Sequence, residues 1–474
     1  SKLIESIGRL PGLFEKLRSI DITKRMENGL NRCKRCGQCM SVCPVYQITF
    51  READVARGKL ALLESVEAGT MKWSNRVVEI LSRCLLCGAC AQVCASRVKT
   101  TLMIQSGRQR LFEVEKRGER QGDLIRNLRE GLLSARLLLK GGALLQALVC
   151  KKIPETSGLH LRFPLSFFAK RRTAPPIALT PFLDAFHPEP PVNTEGPRIG
   201  FFVGCGANYL FPGIAWTLVR ILGRMGATLV VPKEQVCCGL PAYVSGDTRT
   251  ARKLAKKNID LFESLELDAI LTVCASCGSH LKALASLFAD HASSRAAAAS
   301  MARKGMDAMT FLVDHLGFEA YLKSLNPAAS PKGARALRVV YHDPCHLRIG
   351  QGIKRAPRRL LDSLPGVQLV EAPHPGRCCG HGGDFNLSHF PLSMKILDRR
   401  MEDFEKVKPE TIVTGCTGCL LQLAEGISRR GLAGRIEVCH PLMLVEKAIA
   451  PSPTPARYRK NLPVFQALDT DAAQ

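Results

Sequence analysis

A chain of 474 residues with 46% hydrophobic and 23% charged residues is globular and too long for one core. That excludes wholesale disorder and collagen-like repeats, and points to about three domains. Twenty cysteines and a formal charge of +25, from 67 Lys+Arg against 42 Asp+Glu, call respectively for disulfides or metal, and for an anionic partner such as nucleic acid, an acidic protein or a lipid surface.

Residues 1–29 alternate charged and apolar positions, with Arg9, Lys16, Arg18, Lys24 and Arg25 scattered through them. This is not the apolar core of a signal peptide, and no run of about 18 uncharged apolar residues occurs, so a spanning helix is not expected. Secreted disulfide scaffolds are short. The expected setting is cytoplasmic, with cysteines reduced or bound to metal.

Cys33, Cys36, Cys39 and Cys43 form C-x2-C-x2-C-x3-C, followed by Pro44; Cys84, Cys87, Cys90 and Cys94 repeat the spacing, with Ala95 in place of the proline. This is the ligand run of a two-cluster ferredoxin, in which the fourth cysteine of each run reaches the other cube. By that rule Cys33, Cys36, Cys39 and Cys94 hold one [4Fe–4S] cluster, and Cys84, Cys87, Cys90 and Cys43 the other. Structural zinc sites use pairs of C-x2-C knuckles and fit such runs poorly.

Residues 99–172 carry 16 Lys/Arg against six Asp/Glu, and 131–150 is leucine-rich but broken by Arg136, Lys140 and Gly141-Gly142. Two readings stand: an interfacial segment on an anionic membrane, or connecting helices with a solvated basic face. The second is the commoner outcome. Residues 154–197 are proline-rich and read as an extended linker.

A larger repeat follows. Cys205, Cys237-Cys238-Gly239, Cys274 and Cys277 recur as Cys345, Cys378-Cys379-Gly380, Cys416 and Cys419, offset by 140 to 142 residues. This marks a duplicated domain. In the first copy strands are expected over 199–204, 227–231 and 269–273, with helices over 212–225 and 248–265. In the second, strands are expected over 338–341, 368–371 and 411–414. Strands alternating with helices predict a parallel α/β unit with all five cysteines of each copy beyond the carboxyl ends of the strands. The glycine after each cysteine pair suits close approach of backbone to a cofactor. His342, His346, His374 and His381 crowd the second motif; packing is favoured for them over iron ligation or hydrogen bonding to cluster sulfur. Residues 278–299 read as a surface helix running into a loop, Cys150 and Cys439 as buried or idle thiols, and 450–474 as an extended tail.

The spacing of each copy resembles the cysteine-rich CCG domain of heterodisulfide reductases and related iron–sulfur oxidoreductases. A ferredoxin-type module followed by two such domains is similar to the iron–sulfur subunits of glycolate oxidase, FAD-linked D-lactate dehydrogenases and anaerobic glycerol-3-phosphate dehydrogenase, and to the D subunit of heterodisulfide reductase. Ala56-Arg57-Gly58-Lys59, His342-Asp343-Pro344-Cys345-His346-Leu347 and Cys378-Cys379-Gly380-His381-Gly382-Gly383 look most like the glycolate oxidase group. The resemblance implies an α+β multidomain chain. A helical two-[4Fe–4S] module over 1–110 would be followed by a basic and proline-rich linker over 111–197, CCG domains over 198–333 and 334–455, and a tail over 456–474.

It further implies one or two additional [4Fe–4S] centres, cubane or noncubane, on Cys205, Cys237, Cys238, Cys274 and Cys277 and on Cys345, Cys378, Cys379, Cys416 and Cys419. Relatives in the glycolate oxidase group often lack part of the second motif, whereas this chain keeps all ten cysteines. No dinucleotide fingerprint, Walker A loop or nucleophile elbow is present, so no catalytic residue is assigned. The expectation is an electron-transfer subunit serving a partner FAD-containing 2-hydroxyacid (D-lactate or glycolate) dehydrogenase and passing electrons to a quinone or other carrier, with peripheral contact at the cytoplasmic membrane face left open. The alternative is a heterodisulfide reductase-like or glycerol-3-phosphate dehydrogenase-like subunit whose CCG centre acts on a disulfide or quinone. With 6% aromatic residues and its basic excess lying between the modules, nucleic acid is not an expected partner.

Overall fold

A computed structural model describes residues 30–118, 150–152, 159–161, 177–187, 197–325 and 335–449. Contacts divide the chain into two units. The first holds Ser1–Leu133 with Gly239–Arg252 and Gly382–Ile396, and the second holds Ser134–Cys238, Lys253–His381 and Leu397–Gln474. The unit boundaries therefore fall directly after Cys238 and shortly after Cys379.

The first unit is helical. Helices α1 (Ala56–Glu67), α2 (Asn75–Ser82) and α3 (Thr100–Gly118) bury Leu60, Leu63, Val66, Val77, Leu81, Met103, Ile104 and Leu111 in one core. Their three- and four-residue spacing places them on single helical faces. Ser74 caps α2, its Oγ accepting from Val77 N at 3.4 Å. Gly107 lets α3 approach α1, since a Cβ there would lie 2.6 Å from Leu63. Within this unit Arg108 donates to Val244 O at 2.8 Å, and Ser82 Oγ lies 2.9 Å from His389 Nε2, which ties in the two later segments.

The second unit contains two four-stranded sheets. The first is built from β1 (Arg198–Phe201), β2 (Thr228–Val230), β3 (Ala269–Thr272) and β4 (Gly305–Asp307), in the order β2-β1-β3-β4. The other is built from β5 (Leu337–Tyr341), β6 (Val367–Val370), β7 (Thr411–Val413) and β8 (Glu437–Cys439), in the order β6-β5-β7-β8. All six pairings are parallel, and the two orders are the same. In both, the order reverses between the first and third strands, the position where doubly wound sheets open a crevice. Helices α4 (Pro212–Arg224) and α5 (Thr248–Glu263) serve the first sheet; α6 (Ala275–Leu287) and α7 (Ala292–Lys304) follow β3. Helices α8 (Ala356–Asp362), α9 (Phe390–Glu405), α10 (Thr417–Arg429) and α11 (Pro441–Ile449) serve the second. Between the copies, Thr217 Oγ1 on α4 donates to Glu446 Oε2 on α11 at 2.7 Å.

Two expectations change. Residues 278–299 are not one surface helix but parts of α6 and α7, and α6 buries His280, Leu281, Leu284 and Leu287. Within the proline-rich stretch read as extended, Phe182–Ala185 is a helical turn with Phe182 and Phe186 fully buried, stacked 5.2 Å apart, and Phe182 meeting Trp216 edge-on at 4.8 Å. Aromatic burial outweighs the extended bias of the surrounding prolines. The leucine-rich stretch 131–149 and the tail 450–474 lie outside the described residues, as do residues 1–29. No helix among the described residues is long and apolar enough to cross a membrane.

Candidate metal centres

The two cysteine runs of the first unit share one backbone design. The second residue after each leading cysteine, Arg35 and Leu86, is left-handed (φ 52° and 51°), and so are Gly37 (86°) and Gly88 (80°) two residues further on. Each glycine begins a short helix, Gln38–Val42 or Ala89–Gln92. Such tight left-handed turns bring backbone N–H groups toward the cysteine sulfurs. Accordingly Leu86 N donates to Cys84 Sγ at 3.4 Å and Tyr46 N to Cys43 Sγ at 3.5 Å.

Cys43 leaves its own run. It lines one cavity together with Cys84, Cys87 and Cys90. Cys33 and Cys94, from different runs, both pack half-buried against the helical core, and Cys39 lies within electrostatic reach of Cys33. Cys84 packs against that core as well, and Cys39 also lies within reach of Cys90, so the two runs lie side by side. Burial, then the neighbouring Cys84, Cys43 and Cys39, pushes the Cys90 thiol up to about 12. Four thiolates cannot share such a space unless a cation compensates them, which is the condition a cluster meets.

Two cations serve this site, Lys59, quoted above only as part of the Ala56-Arg57-Gly58-Lys59 segment, and Arg108. Lys59 is 1% exposed and lines the cavity of Cys43 and Cys84; its Nζ donates to Asp54 O at 2.5 Å. Burial lowers its pKa, opposed first by Cys84 and then by Cys43. The Arg108 guanidinium donates to Leu81 O (2.9 Å), Ser82 O (3.1 Å) and Cys84 O (2.6 Å), fixing the chain where the second run begins.

In the second unit each sheet delivers its cysteines to the crevice. Cys205 and Cys274 follow β1 and β3, and Cys345 and Cys416 follow β5 and β7. The glycine after each pair is left-handed, Gly239 at φ 90° and Gly380 at 86°, and Gly380 N donates to Cys378 Sγ at 3.3 Å. Cys379 and Cys419 sulfurs are hydrogen-bonded at 3.5 Å. Thiol contacts link Cys205 to Cys237, Cys238 to Cys277 and Cys277 to Cys274, and in the other copy Cys345 to Cys378, Cys378 to Cys379 and Cys419 to Cys416.

The two groups meet, because Cys274 also bonds Cys416. Cys274 receives hydrogen bonds from Cys277 and Cys416 and is held below the ordinary thiol range, whereas its donor Cys416 is pushed up to about 12. The contact is reciprocal. Thr417 Oγ1 of the second copy is 3.3 Å from Cys274 Sγ, and Ser276 Oγ of the first is 3.3 Å from Cys416 Sγ. Ala275 N donates to Gly415 O at 2.9 Å and His440 Nε2 to Val273 O at 3.0 Å, so backbone on both sides fixes the junction.

The histidines divide. His374 is exposed. His346 Nδ1 bonds Ser276 Oγ at 2.9 Å, and His381 bonds Gln422. His342 is buried, with a ring nitrogen within 4.8 Å of the Cys379 and Cys419 sulfurs. Its Nδ1 accepts from Arg400 Nε at 3.2 Å, and an arginine is always the donor, so the neutral ring carries its hydrogen on Nε2. Cys439, outside both motifs, has a thiol that burial pushes up to about 12. Cys150 sits in a strand paired with Leu159–Leu161. Arg400 is fully buried with Nη2 unpartnered, and its charge acts on Cys379. A buried, half-satisfied cation beside clustered sulfurs fits an anionic iron–sulfur group.

Residues 29–98 match the 4Fe-4S dicluster domain, and 199–282 and 339–424 each match the cysteine-rich domain CCG. The chain is 30% identical over 429 residues to the probable glycolate oxidase iron–sulfur subunit of Bacillus subtilis, covering 89% of this chain and 94% of that protein. It is 29% identical over 440 residues to the glycolate oxidase iron–sulfur subunit of Escherichia coli (92% and 98%), and 30% identical over 239 residues to lactate utilization protein A of Geobacillus kaustophilus (50% and 95%).

Proposed function

Since the chain belongs to the family of glycolate oxidase iron–sulfur subunits, and is by that membership an electron-transfer subunit of a redox complex, we propose that it serves a flavin-dependent 2-hydroxyacid dehydrogenase. A partner subunit carrying FAD oxidises D-lactate or glycolate, and this chain passes the electrons on to a quinone or another carrier. Cys33, Cys36, Cys39 and Cys94 hold one cluster of the first unit, and Cys43, Cys84, Cys87 and Cys90 the other. Cys205, Cys237, Cys238, Cys274 and Cys277, and Cys345, Cys378, Cys379, Cys416 and Cys419, hold the two further centres. A bound [4Fe–4S] group takes up and releases one electron at a time. The residues of the chain do the rest: thiolates hold the iron, burial excludes water, and Lys59 and Arg400 place positive charge beside the sulfurs.

What supports this reading is the clustering of cysteines from distant parts of the chain: Cys43 shares one cavity with Cys84, Cys87 and Cys90, and thiol contacts chain together the cysteines of both CCG motifs. The deciding experiment is anaerobic purification with iron, sulfide and EPR analysis, followed by co-purification. About 16 irons per chain together with a flavoprotein that oxidises lactate or glycolate are expected. Iron without any flavoprotein partner defeats the substrate assignment. The completeness of both five-cysteine motifs favours a second reading, a heterodisulfide reductase-like subunit whose CCG centre acts on a disulfide; thiol release from a disulfide substrate would select it.

A further inference from the structure

The two copies of the cysteine motif differ in charge at one matched position. At the 142-residue offset that relates Cys274 to Cys416, Asn258 on α5 corresponds to Arg400 on α9. Both are 0% exposed, and both reach back to the loop leading into the cysteine pair. Asn258 Oδ1 accepts from Val236 N at 2.9 Å and its Nδ2 donates to Cys237 O at 3.1 Å. Arg400 Nη1 donates to Pro373 O at 3.3 Å and His374 O at 3.1 Å. The clamping role is common to both, but only Arg400 brings a charge.

That charge is incompletely neutralised. Asp403 lies 3.6 Å from Arg400 but 2.6 Å from Arg377, so one carboxylate serves two guanidinium groups. Asp343, the other buried acid nearby, is taken by Arg348 at 3.1 Å and Arg358 at 2.9 Å. In the first copy a buried acid, Asp307, lies within electrostatic reach of Cys274, as do the neutral rings of His346, His381 and His440 from the second. At the 140-residue offset, His342 of the second copy corresponds to the apolar Phe202.

Reduction adds one negative charge to a cluster, so a buried cation favours the reduced form and a buried carboxyl opposes it. We propose that the centre on Cys345, Cys378, Cys379, Cys416 and Cys419 has the higher reduction potential of the two, and that Arg400 sets this order. An electron entering the second unit therefore comes to rest on the second centre, and the Cys274–Cys416 contact gives it a direct route from the first. Arg400 is a positioning residue here, acting through its charge rather than as an iron ligand. The inference rests on the reading that both motifs hold iron–sulfur centres.

The test is an anaerobic redox titration of the full chain followed by EPR, with the two signals assigned beforehand from Cys238→Ser, which removes the first centre, and Cys379→Ser, which removes the second. In the unaltered protein the second signal should reduce at the higher potential. Arg400→Met should lower the reduced-to-oxidised ratio of that centre about tenfold at fixed ambient potential, about 59 mV for one electron, and leave the first centre unmoved. Arg400→Lys, which keeps the charge, should retain the order at unchanged iron content. If the first centre reduces first, or if Arg400→Met with full iron leaves both potentials in place, the inference is overturned. An iron content near eight, with only the two ferredoxin-type signals, overturns instead the cluster assignment on which it stands.

Discussion

Single side chains decide how each centre is held and tuned. Cys43 illustrates a residue whose place was legible: a fourth cysteine after a three-residue gap implied a position beside the other run, and it lines the cavity of Cys84, Cys87 and Cys90. Cys43→Ser should therefore damage the cluster of the later run while sparing that of Cys33, Cys36 and Cys39, as resolved by EPR of the two signals. Loss of the earlier cluster instead would refute the crossed arrangement. Lys59 was legible only as part of the Ala56-Arg57-Gly58-Lys59 segment; its burial was not, because in a chain with 67 Lys+Arg nothing local distinguishes a buried cation from a solvated one. Lys59→Met removes a positive charge beside Cys43 and Cys84, and should lower the potential of their cluster by an amount on the order of 1 kcal/mol per electron. A potentiometric titration that shows no shift would leave Lys59 a purely structural residue, holding the carbonyl of Asp54.

At the scale of elements, the duplication is the informative feature. The strands expected from short apolar runs are present within a few residues of their predicted limits, because buried parallel strands leave near-continuous apolar segments. Helices α6 and α7 were read less well: alanine and serine dominate that stretch, so composition alone does not say which face is buried. The cysteine-pair loops end on glycines at φ 90° and 86°, a conformation that side chains with a Cβ rarely adopt. Gly239→Ala would set a Cβ 3.1 Å from Ala251 O at φ 90°, and should cost about 1 kcal/mol or more of stability. A thermal melt should show the loss, together with a reduced iron content. An unchanged melting temperature would mean that this loop relaxes freely. The correspondence of Asn258 with Arg400 could have been found from the 142-residue offset, but its meaning depends on both being buried behind a cysteine-pair loop and on Arg400 alone lying within electrostatic reach of a thiol, Cys379.

For the molecule as a whole, the formal +25 overstates the free charge. Each oxidised four-thiolate [4Fe–4S] group carries about −2, so part of the basic excess balances clusters rather than an external polyanion. Acid should weaken the second unit. Burial lowers His280 and His440 from 6.5 to about 4, so both are neutral when folded yet protonate in the unfolded chain below about pH 6.5. Their contribution is fully present above pH 6.5 and is lost as pH falls toward 4, at roughly 1.4 kcal/mol per pH unit for each. Melting temperatures between pH 7.5 and 5 at constant iron content should fall accordingly, and His440→Gln should flatten the slope; an equal slope in the variant would remove His440 from this account. The sequence by itself determined the cysteine runs, the duplication, the parallel α/β class and the family, because thiol spacing and apolar periodicity are local properties of a chain. Only the tertiary structure decided that Cys274 meets Cys416, that Lys59 and Arg400 are buried cations, and that Phe182 docks within a proline-rich stretch. Those outcomes depend on which distant segments exclude water together, and no spacing along the chain records that.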